Sequence, residues 1–344
     1  MQIIDLRSDT VTLPTLEMMN AINAAILGDD VYVEDSLTIE LESLAAKIMG
    51  KDSALLVSSG TMGNLISCLV HSQRGTEVIM GHKSHTFLYE SGGISAYGGI
   101  HSHQLKNNYD GTIDIDMIKG AIRIDDVHFP ISSLICIENT HNKCHGFPLQ
   151  LEYINSVCDI AHENNIKVHM DGARLFNACV ALDQPADKIT ENVDSVTFCL
   201  SKGLASPIGS IICGNADFIA EARRLRKSLG GGMRQTGIIS AAGIISLNSM
   251  RTRLKDDHDN AKYLANGLHK LSSIELDTNL VPTNIIFFNF NHSKISSTEL
   301  VKYMESNGII FSDYNGKHCR LVLHHGISRD DVEKVIDVFN KLLS

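Results

Sequence analysis

Six short apolar runs, 54–57, 77–80, 134–137, 166–170, 195–199 and 210–213, constrain this chain more than any other feature. Runs of four or five such residues bounded by small or polar ones have the length of buried strands. The segments between them are helical or looped, as at 151–164, and this alternation predicts an α/β fold with a mostly parallel sheet covered on both faces. Two of the runs also deliver charge. The run 166–170 ends at Asp171-Gly172-Ala173-Arg174, and 195–199 leads through Leu200-Ser201 to Lys202, thirty-one residues after Asp171.

Open α/β sheets gather ligands at the carboxyl ends of their strands. A lysine and a carboxylate released there suit pyridoxal phosphate: the amine forms a Schiff base, and the carboxylate keeps the ring nitrogen protonated so that the ring accepts electrons. Taken singly, each residue has a plainer reading. Most lysines are solvated, and Asp171 has the chemistry of a helix N-cap.

The bulk numbers set limits. A chain of 344 residues, 43% hydrophobic and 20% charged, can bury a main core and a smaller second one. A net charge of -10 without a long basic run excludes an electrostatic footprint for nucleic acid. No membrane-spanning run and no leader pattern at 1–7 are visible, so the expectation is a cytoplasmic protein. The cysteines at 68, 136, 144, 158, 179, 199, 213 and 319 form no C-x-x-C pair, and they read as buried, reduced thiols.

An irregular arm over 1–35 precedes a helix from Thr38, with Leu41, Leu44, Ala45 and Ile48 on one face and Gly50 as its stop. A basic-striped helix at 216–229 ends at Gly230-Gly231-Gly232, a loop suited to close approach. After about 248 the pattern becomes charged helix, apolar strand and helix again. The expected division is an arm and large domain over 1–248 and a small α+β domain over 249–344.

Further residues fall at the same rim. Ser58-Ser59-Gly60-Thr61-Met62-Gly63-Asn64 follows the first strand and opens a helix, so its N–H groups can cradle a phosphate, although many such turns are Gly-rich for steric reasons alone. His85 follows the second strand and can stack on a ring or act as a base near neutral pH. The pairs His82/His85 and His101/His103 lack carboxylate or thiol partners at recognisable spacing, so no metal is assigned. His128, beside Phe129, carries no distinguishing context. Arg320 begins a strand of the small domain, placed either to grip an α-carboxylate with its guanidinium fork or to lie solvated at a strand end.

Over nearly its whole length the chain resembles the low-specificity L-threonine aldolase family of fold type I, aspartate aminotransferase-like, pyridoxal phosphate enzymes. The landmarks, in order, begin with Asp5-Leu6-Arg7-Ser8-Asp9-Thr10-Val11-Thr12, Gly28-Asp29-Asp30-Val31-Tyr32, Ser59-Gly60-Thr61 and Glu138-Asn139-Thr140-His141-Asn142. They continue with His169-Met170-Asp171-Gly172-Ala173-Arg174, Cys199-Leu200-Ser201-Lys202-Gly203-Leu204 and Gly231-Gly232-Met233-Arg234-Gln235.

The resemblance implies retro-aldol cleavage of L-threonine, L-allo-threonine and related β-hydroxy-α-amino acids to glycine and an aldehyde. It implies that Lys202 carries the cofactor, Asp171 pairs with its ring nitrogen, Gly60 and Thr61 hold its phosphate and His85 stacks on its face. Ser8, Arg174 and Arg320 match binders of the substrate carboxylate, and His128 matches a second histidine near the β-hydroxyl, which leaves His85 and His128 as rival bases. Lys227 and Arg234 match residues that reach a neighbouring subunit's site, which implies a homotetramer with shared sites. Lys143-Cys144-His145-Gly146 and His324-His325-Gly326 depart from the commoner pattern and bear on substrate preference. A β-eliminating lyase or racemase on this fold, or a non-catalytic binding protein, are the alternatives.

Overall fold

The computed structural model describes residues 3–314 and 316–343. Its centre is a seven-stranded sheet in the order Ser53–Val57, Ser210–Gly214, Ser195–Cys199, Lys167–Asp171, Ser132–Glu138, Glu77–Gly81, His101–Leu105. Ser210–Gly214 runs antiparallel to both neighbours and the remaining pairings are parallel. All six expected strands are present, and five have wholly buried or nearly wholly buried residue patterns, as strands covered on both faces should. The seventh, His101–Leu105, was missed for a physical reason: it is an edge strand, mostly solvated, and its His-Ser-His-Gln sequence has no apolar run.

Helix ends follow local chemistry. Asp35 caps Ser36–Met49 by accepting from the Thr38 N–H, and Gly50 ends it at φ +61°, a conformation that costs glycine little. Ser59 caps Gly60–His71 in the same way through the Met62 N–H. At Gly63 the helix leans on the sheet so closely that a Cβ would lie 2.6 Å from Thr197 Cγ2.

A second, four-stranded antiparallel sheet contains Ile274–Glu275, Ile285–Phe290, Ser312–Tyr314 and His318–Val322. Its core holds Phe288, Leu321 and Phe339, and it also takes in Ile4 and Leu6 from the other end of the chain. Ile4–Asp5 pairs parallel with Ile309–Ile310, so the start of the arm is built into the second core. A helix running from Gly237 through a π-helical turn at Ser246–Met250 to Leu268 contributes Leu247 and Leu254 to the large core and Leu264 and Leu268 to the small one. All eight cysteines are free, seven of them buried, and burial pushes the Cys144 thiol up to about 12. Among the described residues, no helix is long and apolar enough to cross a membrane.

Candidate active site

Four strand ends converge on one cavity. The turns after Glu77–Gly81, Ser132–Glu138, Lys167–Asp171 and Ser195–Cys199 supply His85, Asn142, Arg174 and Lys202, while the four-stranded sheet supplies Arg320 and the N-terminal segment Ser8. The space between them is about 250 Å³. Glu138 fixes two of the turns: its carboxylate accepts the backbone N–H of His85 at 2.8 Å and that of Asn142 at 2.8 Å.

Lys202 faces this cavity, and its ammonium makes no hydrogen bond or ion pair among the described residues. Its carbonyl is held by Thr12 Oγ1 at 2.9 Å, which ties the arm to the lysine turn. Asp171 is buried; Oδ2 accepts from Asn64 Nδ2 at 2.9 Å and Oδ1 from the Ala173 N–H at 3.1 Å. The orphan N–H groups of the 12-residue helix Gly60–His71 begin beside the Lys202 strand, where a Cβ on Gly60 would sit 3.0 Å from Cys199 Sγ. An unpaired lysine amine, a buried carboxyl group and a glycine-opened helix start suit pyridoxal phosphate, and these residues fit the group.

The two arginines differ. Arg174 gives Asp9 a two-pronged grip, Nε to Oδ2 at 2.7 Å and Nη2 to Oδ1 at 2.8 Å, with both side chains buried. Burial alone would raise the Asp9 carboxyl, but the Arg174 charge and hydrogen bonds outweigh it and hold it at about 2. Arg320 has no carboxylate partner; Nη1 reaches Asn142 Oδ1 at 3.1 Å, Nη2 reaches the Arg7 carbonyl at 2.9 Å, and Nε is buried without a partner. Burial, then the neighbouring Arg174 charge, lowers its hold on its proton. Arg320 is therefore a buried guanidinium of the cavity without a carboxylate of its own, and a carboxylate would relieve it. Asp9 and Asn142, both inside quoted motifs, had no role assigned from sequence.

His85 lines the cavity and donates or accepts at Nδ1 with Glu90 Oε1, 2.8 Å away. Burial by itself lowers the imidazole, yet the Glu90 hydrogen bond and the Asp171 and Glu90 charges raise it overall. Glu90 also accepts from Asn64 at 2.8 Å. Glu90, just past the short helix His85–Leu88, carried no sequence signal, and Asn64, in the 58–64 turn and the helix it opens, was assigned no role of its own. His85, Glu90 and Asp171 place three ligand-type atoms within 4.8 Å of one another, a closeness that these hydrogen bonds explain without a cation. Tyr89 and Tyr314 bracket Lys143, whose Nζ lies 5.4 and 4.2 Å from their ring centres.

Of the expected site residues, Asp171, Gly60 and Thr61 do not line this cavity, and His128, Lys227 and Arg234 have partners elsewhere or line another cleft. His128 has an 82% exposed side chain and pairs with Asp126 at 2.7 Å, because its loop projects between the helix Ile115–Ala121 and the strand Ser132–Glu138. Lys227, on Ala216–Ser228, lines a separate basic cleft with Arg223 and Arg224. Arg234 pairs with Asp29 at 3.0 Å.

A mixed, mostly parallel sheet with an unpaired lysine and a buried carboxylate at its strand ends defines a fold type I enzyme scaffold. Its overall course matches a solved Leishmania major threonine aldolase with a TM-score of 0.83 at 19% identity, covering 99% of this chain and 100% of that one. The beta-eliminating lyase family model matches residues 5–291. The chain is 46% identical to a probable low-specificity L-threonine aldolase 2 of Arabidopsis thaliana, over 98% of this chain and 97% of the relative. It is 40% identical to the low specificity L-threonine aldolase of Escherichia coli strain K12, over 96% and 97%. The chain belongs to the low-specificity L-threonine aldolase family, within the beta-eliminating lyases.

Proposed function

We propose that the protein is a pyridoxal phosphate-dependent threonine aldolase, cleaving L-threonine, L-allo-threonine and related β-hydroxy-α-amino acids to glycine and an aldehyde. The observation that carries this reading is the convergence on one cavity of the unpartnered Lys202, the uncompensated Arg320 and His85, above a buried Asp171. Lys202 would carry the cofactor, Asp171 its ring nitrogen, the start of Gly60–His71 with Gly60 and Thr61 its phosphate, and His85 its face. When bound, the cofactor supplies the sink for the electron pair left on Cα as the Cα–Cβ bond breaks.

The chain's own residues do the rest. Arg320, held by Asn142 and Arg7, takes the α-carboxylate, and Ser8 stands beside it. Arg174 is largely engaged by Asp9, so its part is to fix Asn142 and the arm while offering its remaining Nη1. His85 takes the β-hydroxyl proton at Nε2, the nitrogen that has no protein partner among the described residues. Fixing the carboxylate and amine orients the bond to be broken, which is the proximity part of the acceleration.

The reading includes a homotetramer in the cytoplasm, with Lys227 and Arg234 serving a neighbouring subunit's cavity. Exposed apolar residues along the arm, Leu13 at 78%, Leu16 at 77% and Ile26 at 79%, support association. Purified protein supplied with pyridoxal phosphate and either threonine diastereomer should release glycine and acetaldehyde. The Lys202→Ala variant should lose both the turnover and the visible absorbance of covalently held cofactor. Formation of ammonia and 2-oxobutanoate instead would mark an eliminating lyase and overturn the reading.

A further inference from the structure

Resting on the base role given to His85 above, we propose that Glu90 is a positioning residue. It fixes the imidazole with Nδ1 protonated and Nε2 bare toward the cavity, and through Asn64 it is locked to Asp171 as one hydrogen-bonded unit.

The donor count sets the directions. The Asn64 amide nitrogen has two hydrogens, and it lies 2.8 Å from Glu90 Oε1 and 2.9 Å from Asp171 Oδ2, so each carboxylate receives one. Asn64 Oδ1 must then accept, and its partner is His169 Nε2 at 3.1 Å. His169 Nδ1 is left to accept from Ser195 Oγ at 2.9 Å, and Ser195 Oγ accepts in turn from His71 Nε2 at 2.8 Å. Burial holds His169 down at about 3 and His71 at about 4, so both are neutral and can play these single-proton roles. Asn64 therefore cannot flip without breaking the series.

Glu90 Oε1 is thus an acceptor already facing one N–H, and the His85 Nδ1 beside it completes the pair by donating. The opposite tautomer would set a lone pair against a carboxylate oxygen. Of the charged groups around the ring, Glu90 and Asp171 favour its protonated form and Lys202 opposes it. Glu138 holds the His85 backbone N–H, and Tyr89 lies 5.5 Å from the ring. The remaining Glu90 oxygen, Oε2, is buried without a partner; burial, with the Asp171 charge, raises the Glu90 carboxyl, and the hydrogen bonds from His85 and Asn64 work against that rise.

The test follows the His85 imidazole by NMR titration in cofactor-free protein, with Glu90→Gln and Glu90→Asp variants. The ionisation midpoint should fall by about one pH unit or more in Glu90→Gln and lie between that and wild type in Glu90→Asp. His85 must be neutral to accept a proton, so the acid limb of kcat/KM for threonine should shift to lower pH in the same order. Over the plateau kcat should drop about tenfold, within the range general base catalysis supplies. A Glu90→Gln protein of unchanged melting temperature and unchanged His85 midpoint would overturn the proposal. If Glu90→Gln does not fold, a Glu90→Asp midpoint equal to wild type does the same. The titration needs neither cofactor nor substrate, so a shifted midpoint in a protein that does not cleave threonine would leave the proposal standing and remove the aldolase reading.

Discussion

Replacing Asp9 with Asn should remove the charge that Arg174 was folded around. The displacement of the Asp9 carboxyl from its usual 3.8 to about 2 corresponds to stabilisation on the order of 2 kcal/mol. Removing one partner of a buried pair typically costs about 3–5 kcal/mol, since the other charge stays buried. Asn keeps an oxygen to accept one of the two Arg174 bonds, so a loss of about 2–4 kcal/mol is expected. The sign of the pH effect follows from a depressed carboxyl: its contribution is complete above 3.8 and disappears as pH falls toward about 2. Equilibrium urea unfolding of cofactor-free wild type and Asp9→Asn, from pH 7 down through the acid range, checks both points. The variant should have a lower midpoint at pH 7, and the gap should narrow toward pH 2. Equal midpoints at pH 7, or a gap that does not depend on acid, would refute the reasoning.

Other expectations concern single residues. Arg320→Ala should raise KM for threonine about ten- to a hundredfold with a smaller change in kcat, as measured by steady-state kinetics, because the lost bond is charge-assisted. His85→Asn should lower kcat about a hundredfold, while His128→Asn, whose ring stands in solvent, should lower it by less than about tenfold. Gly63→Ala forces a methyl to within 2.6 Å of Thr197, so thermal unfolding should show a loss of about 1–3 kcal/mol, together with weaker cofactor retention from displacement of the phosphate-facing helix start.

What could be read from sequence was what local pattern encodes. Buried strands such as Ser132–Glu138, with the run 134–137 at its centre, announce themselves by continuous apolarity, and Lys202 and Asp171 are legible because they follow strand-like runs. His101–Leu105 escapes because an edge strand has water on one side. The site's electrostatics were less visible. Arg174 reads as a free guanidinium until Asp9, 165 residues away, is found holding it. Glu90 has no motif, and Asn64 only its place at the end of the 58–64 turn; they matter because a helix, the segment 85–90 and one strand bring five polar side chains together in a largely buried space. His128, Lys227 and Arg234 were drawn from family likeness rather than from any chain-local pattern, and within one chain they stand apart from the cavity.

The pairing of Ile4 with Ile309 has a consequence for how the molecule is made. The strand that receives the arm emerges from the ribosome about 300 residues later than the arm itself. Ile4 and Leu6 must therefore wait for their core partners through most of synthesis, and the carbonyl of Arg7 cannot meet Arg320 until the four-stranded sheet has formed. Competence to grip a substrate is thus acquired last, and a nascent chain halted before residue 309 would own the cofactor lysine while lacking the finished clamp.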